Sequence, residues 1–291
     1  AQAVEWIRTR PVRMVWLAGK GGVGKSTCAA AIACVQSETR RVCVVSTDPA
    51  GSLSEIMGVA VAEQPVAIEA NLYARQIDAI AEFDRMREQY RASVNTVFQE
   101  LGLDVAAQLD RRVVESLWDF APPGIDEIIS LVEIMDQAAE FDTLVIDCAP
   151  TGHFLRLIEM PEIALDWVHA LLRLLVKYRA AGSLDALARD LLAFAKRLRR
   201  LKLDLSAPDT TAVFLVTLAE PMVRAETARL SSALQRAGLP VAALILNRAD
   251  DGERIARGTH VQRIRAPMLR AEAVGPAALR SFVEQWSLIG E

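Results

Sequence analysis

Residues 19–27 read GKGGVGKST, and Gly19 to Ser26 within them fit the pattern G-x-x-x-x-G-K-[ST]. Glycines at this spacing let successive backbone N–H groups converge on phosphate oxygens, and a following helix adds its positive end. Lys25 is then placed to reach β- and γ-phosphates, the Ser26 hydroxyl to hold Mg²⁺, and Thr27 to donate to the α-phosphate. Lys20 is one lysine more than such a loop requires. A second stretch, VVSTDPAGS, puts Asp48 at the carboxyl end of an apolar run, the end at which open α/β sheets bind ligands. A third, TLVIDCAPTGH, runs apolar residues into Asp147, as in carboxylates that hold Mg²⁺ through water. Singly, Asp48 and Asp147 also suit turns; all three pieces in this order point to a nucleotide triphosphate site. Gly152 beside Thr151 predicts a mobile loop next to the γ-phosphate.

Those residues need a scaffold, and the chain supplies one. Short runs rich in Val, Ile and Leu occupy residues 12–18, 41–46, 142–148, 211–217 and 241–247. Continuous apolar runs imply strands buried on both faces. Helical patterns between them predict an α/β fold of the P-loop NTPase type, with a mainly parallel twisted sheet flanked by helices. Two strongly helical segments, about 79–139 and 152–205, are too long for simple crossovers. They predict a helical subdomain inserted into a single ATPase-type domain spanning 1–291. Apolar residues make up 52% of the 291, enough for a sizeable core. A net charge of −4 argues against bulk attraction to nucleic acid or an anionic membrane. No apolar run reaches the roughly 18 residues of a membrane span, and the start AQAVEWIRTR has no leader-like apolar core. The four cysteines, Cys28, Cys34, Cys43 and Cys148, form no C-x-x-C. They are expected as small buried hydrophobes in a reducing, cytoplasmic setting.

With the motifs in view, the chain is identified as a member of the ArsA/Get3 family of P-loop ATPases, in the deviant Walker A class. The residues that carry the resemblance are GKGGVGKST (19–27), TDPAGSLSEIMG (47–58), PPGIDEI (122–128), DCAPTGHFLRLIEMP (147–161), LAEPMVRAETARL (218–230), LILNRA (244–249) and APMLRAEAVG (266–275). The resemblance implies hydrolysis of ATP to ADP and phosphate with Mg²⁺. It implies a nucleotide cradle of Gly19, Lys20, Gly21, Gly22, Val23, Gly24, Lys25, Ser26 and Thr27. It also accounts for the extra lysine, since Lys20 would act in trans, on the nucleotide of a partner subunit. Lys20, Lys25 and Asp48 would be the catalytic set, with Asp48 orienting or activating the attacking water. Ser26 and, through water, Asp147 would hold Mg²⁺. Glu220 would lie near the nucleotide at the dimer interface, and Asn247 would read the adenine edge. Residues 267–274, beginning Pro267, Met268, Leu269, would wrap the base. Each motif occurs once, so two facing sites need two chains, and a single-length, bacterial-type homodimer is expected.

Two departures bear on function. Gly51 stands where the family's eukaryotic branch has a histidine, which loosens that loop. Between Asn247 and Pro267 there is no C-x-x-C, so the zinc site of Get3 is not expected here, and no thiol cluster for arsenite is visible. In residues 163–178, Asp166, His169, Arg173 and Lys177 form a narrow polar stripe beside a wide apolar surface. Residues 184–203 align Leu184, Leu187, Leu191 and Leu198 on one face. Either the two helices pack on each other, or they form a groove for a hydrophobic or membrane-destined protein segment. The favoured function is a dimeric ATPase whose cycle gates such a lobe. The alternatives are an ATPase subunit energising an anion (arsenite-type) transporter in a membrane-protein partner, and a partition or positioning ATPase.

Overall fold

The computed structural model describes residues 2–47, 52–78, 81, 84, 85, 87, 88, 92, 121–148, 151–177, 185–250, 261–269 and 271–289. The strands are β1 (Met14–Ala18), β2 (Val42–Ser46), β3 (Val66–Glu69), β4 (Leu72–Gln76), β5 (Thr143–Asp147), β6 (Thr211–Thr217), β7 (Val241–Ala249), β8 (Gln262–Pro267) and β9 (Ser287–Leu288). They form one sheet in the order β3-β4-β2-β5-β1-β6-β7-β8-β9. Pairing is parallel except at the two edges, β3 with β4 and β8 with β9. Every residue of β1, β2, β5 and β6 is buried, as expected of strands covered on both faces. The five expected strands are present. Four more lie toward the edges, where half-buried alternation replaces the apolar run, as in QRIRAP of β8.

Among the described residues the helices are α1 (Gln2–Thr9), α2 (Lys25–Gln36), α3 (Ser52–Met57), α4 (Ile125–Gln137), α5 (Thr151–Lys177), α6 (Asp185–Ser206), α7 (Pro221–Arg236) and α8 (Pro276–Glu284). None is long and apolar enough to cross a membrane. The chain divides into two compact units. One comprises Ala1–Ile77, Asp136–Leu155 and Asp204–Glu291; the other comprises Asp78–Met135 and Arg156–Leu203. In the second unit α5 buries Leu165, Val168 and Leu171, and α6 buries Leu191, Phe194, Leu198 and Leu201. Glu162 pairs with Lys202, and His169 Nε2 lies 3.2 Å from Arg199. Partners that descend along α6 as they ascend along α5 make the two helices antiparallel. Ile163, Leu192 and Leu203 remain exposed.

In the first unit, α2 is the central helix. Ten of its twelve residues are buried, because KSTCAAAIACVQ carries small side chains all round. Its carboxyl end meets Arg280 of α8. The guanidinium donates to the Cys34 carbonyl at 3.2 Å, to Ser37 Oγ at 3.4 Å and to both oxygens of Glu69. A cation here also complements the helix dipole. The bond to Arg280 holds the Glu69 carboxyl below the usual carboxylate range. A depressed carboxylate stabilises the fold above its unfolded pKa, and that contribution fades as pH falls through the folded value. Arg280→Leu should therefore lower the unfolding free energy by about 1–3 kcal/mol near neutral pH. Part of that deficit should vanish below about pH 4, as read from urea unfolding at a series of pH values. A deficit independent of pH would remove Glu69 from the account.

Candidate functional site

Strand order reverses around β1: the chain goes to β2 on one side and later to β6 and β7 on the other. The crevice outside the carboxyl ends of such strands is where open α/β sheets take ligands. The glycine loop leaves β1 at this point. A Cβ at Gly19 would stand 2.3 Å from the Val216 carbonyl oxygen of β6, so no side chain fits there. Gly24 caps α2 at φ 89°, ψ 30°, a left-handed conformation that costs other residues free energy. A Cβ on it would lie 2.4 Å from Asn247 Nδ2. That amide, 5% exposed, donates to the Val23 carbonyl at 2.8 Å. At Gly22, φ 80°, a Cβ would meet nothing within 4 Å. The loop is thus tied down on the sheet side and open on the other.

The open side faces a cavity of about 690 Å³. Gly21, Gly22, Gly24, Lys25, Ser26 and Thr27 line one end. Asn247, Pro267, Met268 and Leu269 line it too, together with Ser52, Glu55 and Ile56 of α3, Arg248, Ala271, Glu272, Ala273, Val274 and Phe282. The segment after β8 is fixed against α3: the Gly275 N–H donates to the Ile56 carbonyl at 2.8 Å. The lining thus joins the loop's N–H groups and a lysine to apolar side chains such as Pro267, Met268 and Leu269, with Glu55, Arg248 and Glu272 among them. N–H groups and a cation beside apolar walls suit a polyphosphate attached to a flat base. The Lys25 ammonium, 7% exposed, donates to the Lys20 carbonyl at 3.2 Å.

Other expected site residues fall elsewhere. Gly19 and Val23 support the loop without lining the cavity. Asp147, 1% exposed, ends β5 opposite Leu17 of β1 and Ser46 of β2. Its charge is felt at Cys28, whose thiol is pushed up to about 12, first by burial and then by Asp147, with Arg248 opposing. Lys20 points away, its ammonium 3.2 Å from Glu226 of α7. Glu220 is the exposed residue capping α7 and does not line the cavity. Asp48 and Gly51 lie outside the described residues. Among the described residues, no three His, Cys, Asp or Glu form a metal-binding group. Sequence reasoning passed over Arg248 and the α3 wall. The first had a signal in its place after Asn247, at a strand end. Phe282 had none.

Known proteins share this chain's pattern. The profile of a family described as Anion-transporting ATPase matches residues 12–259. ATPase ARSA1 of Chlamydomonas reinhardtii is 30% identical over 304 residues, covering 91% of this chain and 39% of that protein. ATPase GET3C of Arabidopsis thaliana is 31% identical over 255 residues, covering 79% and 65%. ATPase asna-1 of Caenorhabditis elegans is 25% identical over 328 residues, covering 96% and 94%. The chain thus spans less than two thirds of the first two relatives and nearly all of the third.

The contact between Gly24 and Asn247 yields a prediction. Gly24→Ala should cost about 1–3 kcal/mol of stability, from the left-handed backbone and the clash. In an Asn247→Ala background the same change should cost distinctly less, because the clashing amide is gone. A double-mutant cycle by chemical denaturation checks this. Additive losses would show that the two side chains do not meet.

Proposed function

The chain belongs to the ArsA family of ATPases, and from that premise we propose that it binds MgATP in this cavity and hydrolyses it. We propose further that it works as a homodimer whose nucleotide cycle gates the helical unit on a hydrophobic or membrane-destined protein segment. One observation carries the nucleotide reading: the glycine loop is held from behind by Asn247 and opens on a cavity lined by Lys25 and by the apolar side chains of Pro267, Met268 and Leu269.

The chain's own residues divide the work. The N–H groups of the loop and the first turn of α2 bind phosphate oxygens. Lys25 exchanges the Lys20 carbonyl for the β/γ-phosphate region. Ser26 and Asp147 present hard oxygen donors that suit Mg²⁺, which would neutralise phosphate charge as the bond breaks. Asp48 orients the attacking water and accepts its proton. Lys20, excluded from the lining of its own cavity and held by a surface partner, serves the site of the second copy. There a cation near the transferring phosphate accelerates the reaction, by about 10³–10⁵-fold in arginine-finger systems.

The family's description favours a second reading, an ATPase driving an anion transporter. All four cysteines are buried, and none is in a disulfide. Burial pushes the thiols of Cys28, Cys34 and Cys43 up to about 12. Arsenite-type ligands need accessible thiolates, so this chain offers them no soft site.

Lys25→Ala should abolish tight MgATP binding in calorimetry; unchanged affinity would end the phosphate-loop assignment. Asp48→Asn should retain binding yet turn over at least about tenfold more slowly, a barrier about 1.4 kcal/mol higher.

Lys20→Ala alone should bind nucleotide and hydrolyse poorly. Mixed with excess Asp48→Asn chains, it should regain activity. In the heterodimer, the Lys20→Ala chain keeps its own Asp48 and borrows its partner's Lys20. No recovery, with subunit exchange demonstrated by mass spectrometry, would place Lys20 in cis or outside the mechanism.

A further inference from the structure

Arg248 combines two features that the nucleotide reading leaves unexplained. It lines the cavity with an exposed side chain between two buried neighbours, Asn247 and Ala249. It also holds φ 53°, the one positive φ at a non-glycine residue among those described. The cause is local. β7 pairs regularly with β8 up to Leu246, the register then shifts, and pairing resumes at Ala249 opposite Pro267. The irregularity turns Asn247 back toward the glycine loop and frees Arg248 toward the cavity. Glycine would hold this conformation without cost, whereas arginine holds it at a cost in conformational energy. Strain of this kind is tolerated where the side chain has a function.

Charge and position specify that function. The cavity's lining cations among the described residues are Lys25 and Arg248. Lys25 belongs to the glycine-loop end. Arg248 sits one residue before Ala249, the partner of Pro267, and so beside the apolar wall of Pro267, Met268 and Leu269. Among the described residues no hydrogen bond or ion pair fixes its guanidinium, whose charge is felt at Cys28 beneath the glycine loop. A planar, weakly hydrated cation at the rim of an apolar slot is suited to stack on a π-system. On the reading of this cavity as a nucleotide site, we propose that the Arg248 guanidinium covers one face of the purine base. It would act as an affinity and specificity determinant distinct from the phosphate-binding lysine.

Titration calorimetry on the full chain tests this, with MgATP as ligand and magnesium tripolyphosphate as a competitor. Arg248→Ala should weaken MgATP by about 5- to 30-fold, the range of a desolvated cation–π contact, and change tripolyphosphate by no more than about twofold. Arg248→Gly should lose the same ATP affinity while melting no lower than the wild type, since the backbone strain is relieved. Unchanged ATP affinity in Arg248→Ala would overturn the assignment. So would an equal loss for tripolyphosphate, or full rescue by Arg248→Lys, because either would make Arg248 a phosphate-binding point charge. If the wild type binds neither ligand, the nucleotide reading itself fails and the assignment falls with it. A wild type that binds both leaves the Arg248 variants to decide the assignment alone.

Discussion

The hydrogen bond from Asn247 to the Val23 carbonyl, 2.8 Å long, joins the end of β7 to a loop 224 residues earlier in the chain. The loop's shape depends on it. A glycine loop is flexible by composition, and N–H groups that wander cannot converge on one anion. Asn247 fixes the loop's middle from the sheet side, and the close approach of Gly19 to Val216 fixes its start. Gly24 must then lack a side chain, because the amide occupies the space a Cβ would need. So the glycines at 19 and 24 answer to contacts with β6 and β7, while Gly22 answers to the open side. One amide thereby dictates residue type at the start of α2 and orients that helix toward the cavity.

The far end of α2 is fixed just as deliberately. Arg280 satisfies the Cys34 carbonyl, and Gln36 donates to the Ile7 carbonyl of α1 at 3.1 Å. Between its ends, fully buried alanines let α2 lie close to the sheet. A helix held at both ends and buried along its length cannot pivot cheaply, since interiors are close-packed. Its amino end therefore stays where β1 delivers the loop. The rigid part of the site comes from this helix. Across the cavity, Met268 and Val274 are exposed, and Gly275 is tied to Ile56 of α3.

The sequence disclosed what local chemistry enforces. β1, β2, β5, β6 and β7 were legible because burial on both faces demands unbroken apolar runs. β3, β4, β8 and β9 were not, because strands at or next to a sheet edge are only partly covered and carry polar residues, so LYARQ or QRIRAP reads as well as a loop. α1 was missed for a similar reason: only Ala3, Val4 and Ile7 of it are buried. In the site, the glycine loop was legible because few other purposes demand four glycines and two lysines in nine residues. The bond from Asn247 to Val23 was invisible, since it joins distant segments. The same is true of the register shift that frees Arg248, which depends on how β7 meets β8. A polar residue at a strand end predicts a place in the sheet, not the partner it finds there.

The two loop lysines are held very differently, and the difference fits their proposed roles. Lys25 is buried and donates to a neutral carbonyl within its own loop. A phosphate oxygen is a charged acceptor, and charge-assisted hydrogen bonds are roughly twice as strong as neutral ones. Exchanging one for the other favours the ligand and needs little motion, because the acceptor belongs to the loop that wraps the phosphates. Lys20 is paired with Glu226 at 3.2 Å, with both side chains a third or more exposed. Such pairs contribute about 0–1 kcal/mol. An ammonium held so loosely can be released to another chain at small cost. A buried pair could not, because breaking it would strand a charge in low dielectric. A cation meant for its own site is best placed before the ligand arrives. One meant for a partner's site must be both kept out of its own and easily surrendered, and a glutamate about a third exposed does both.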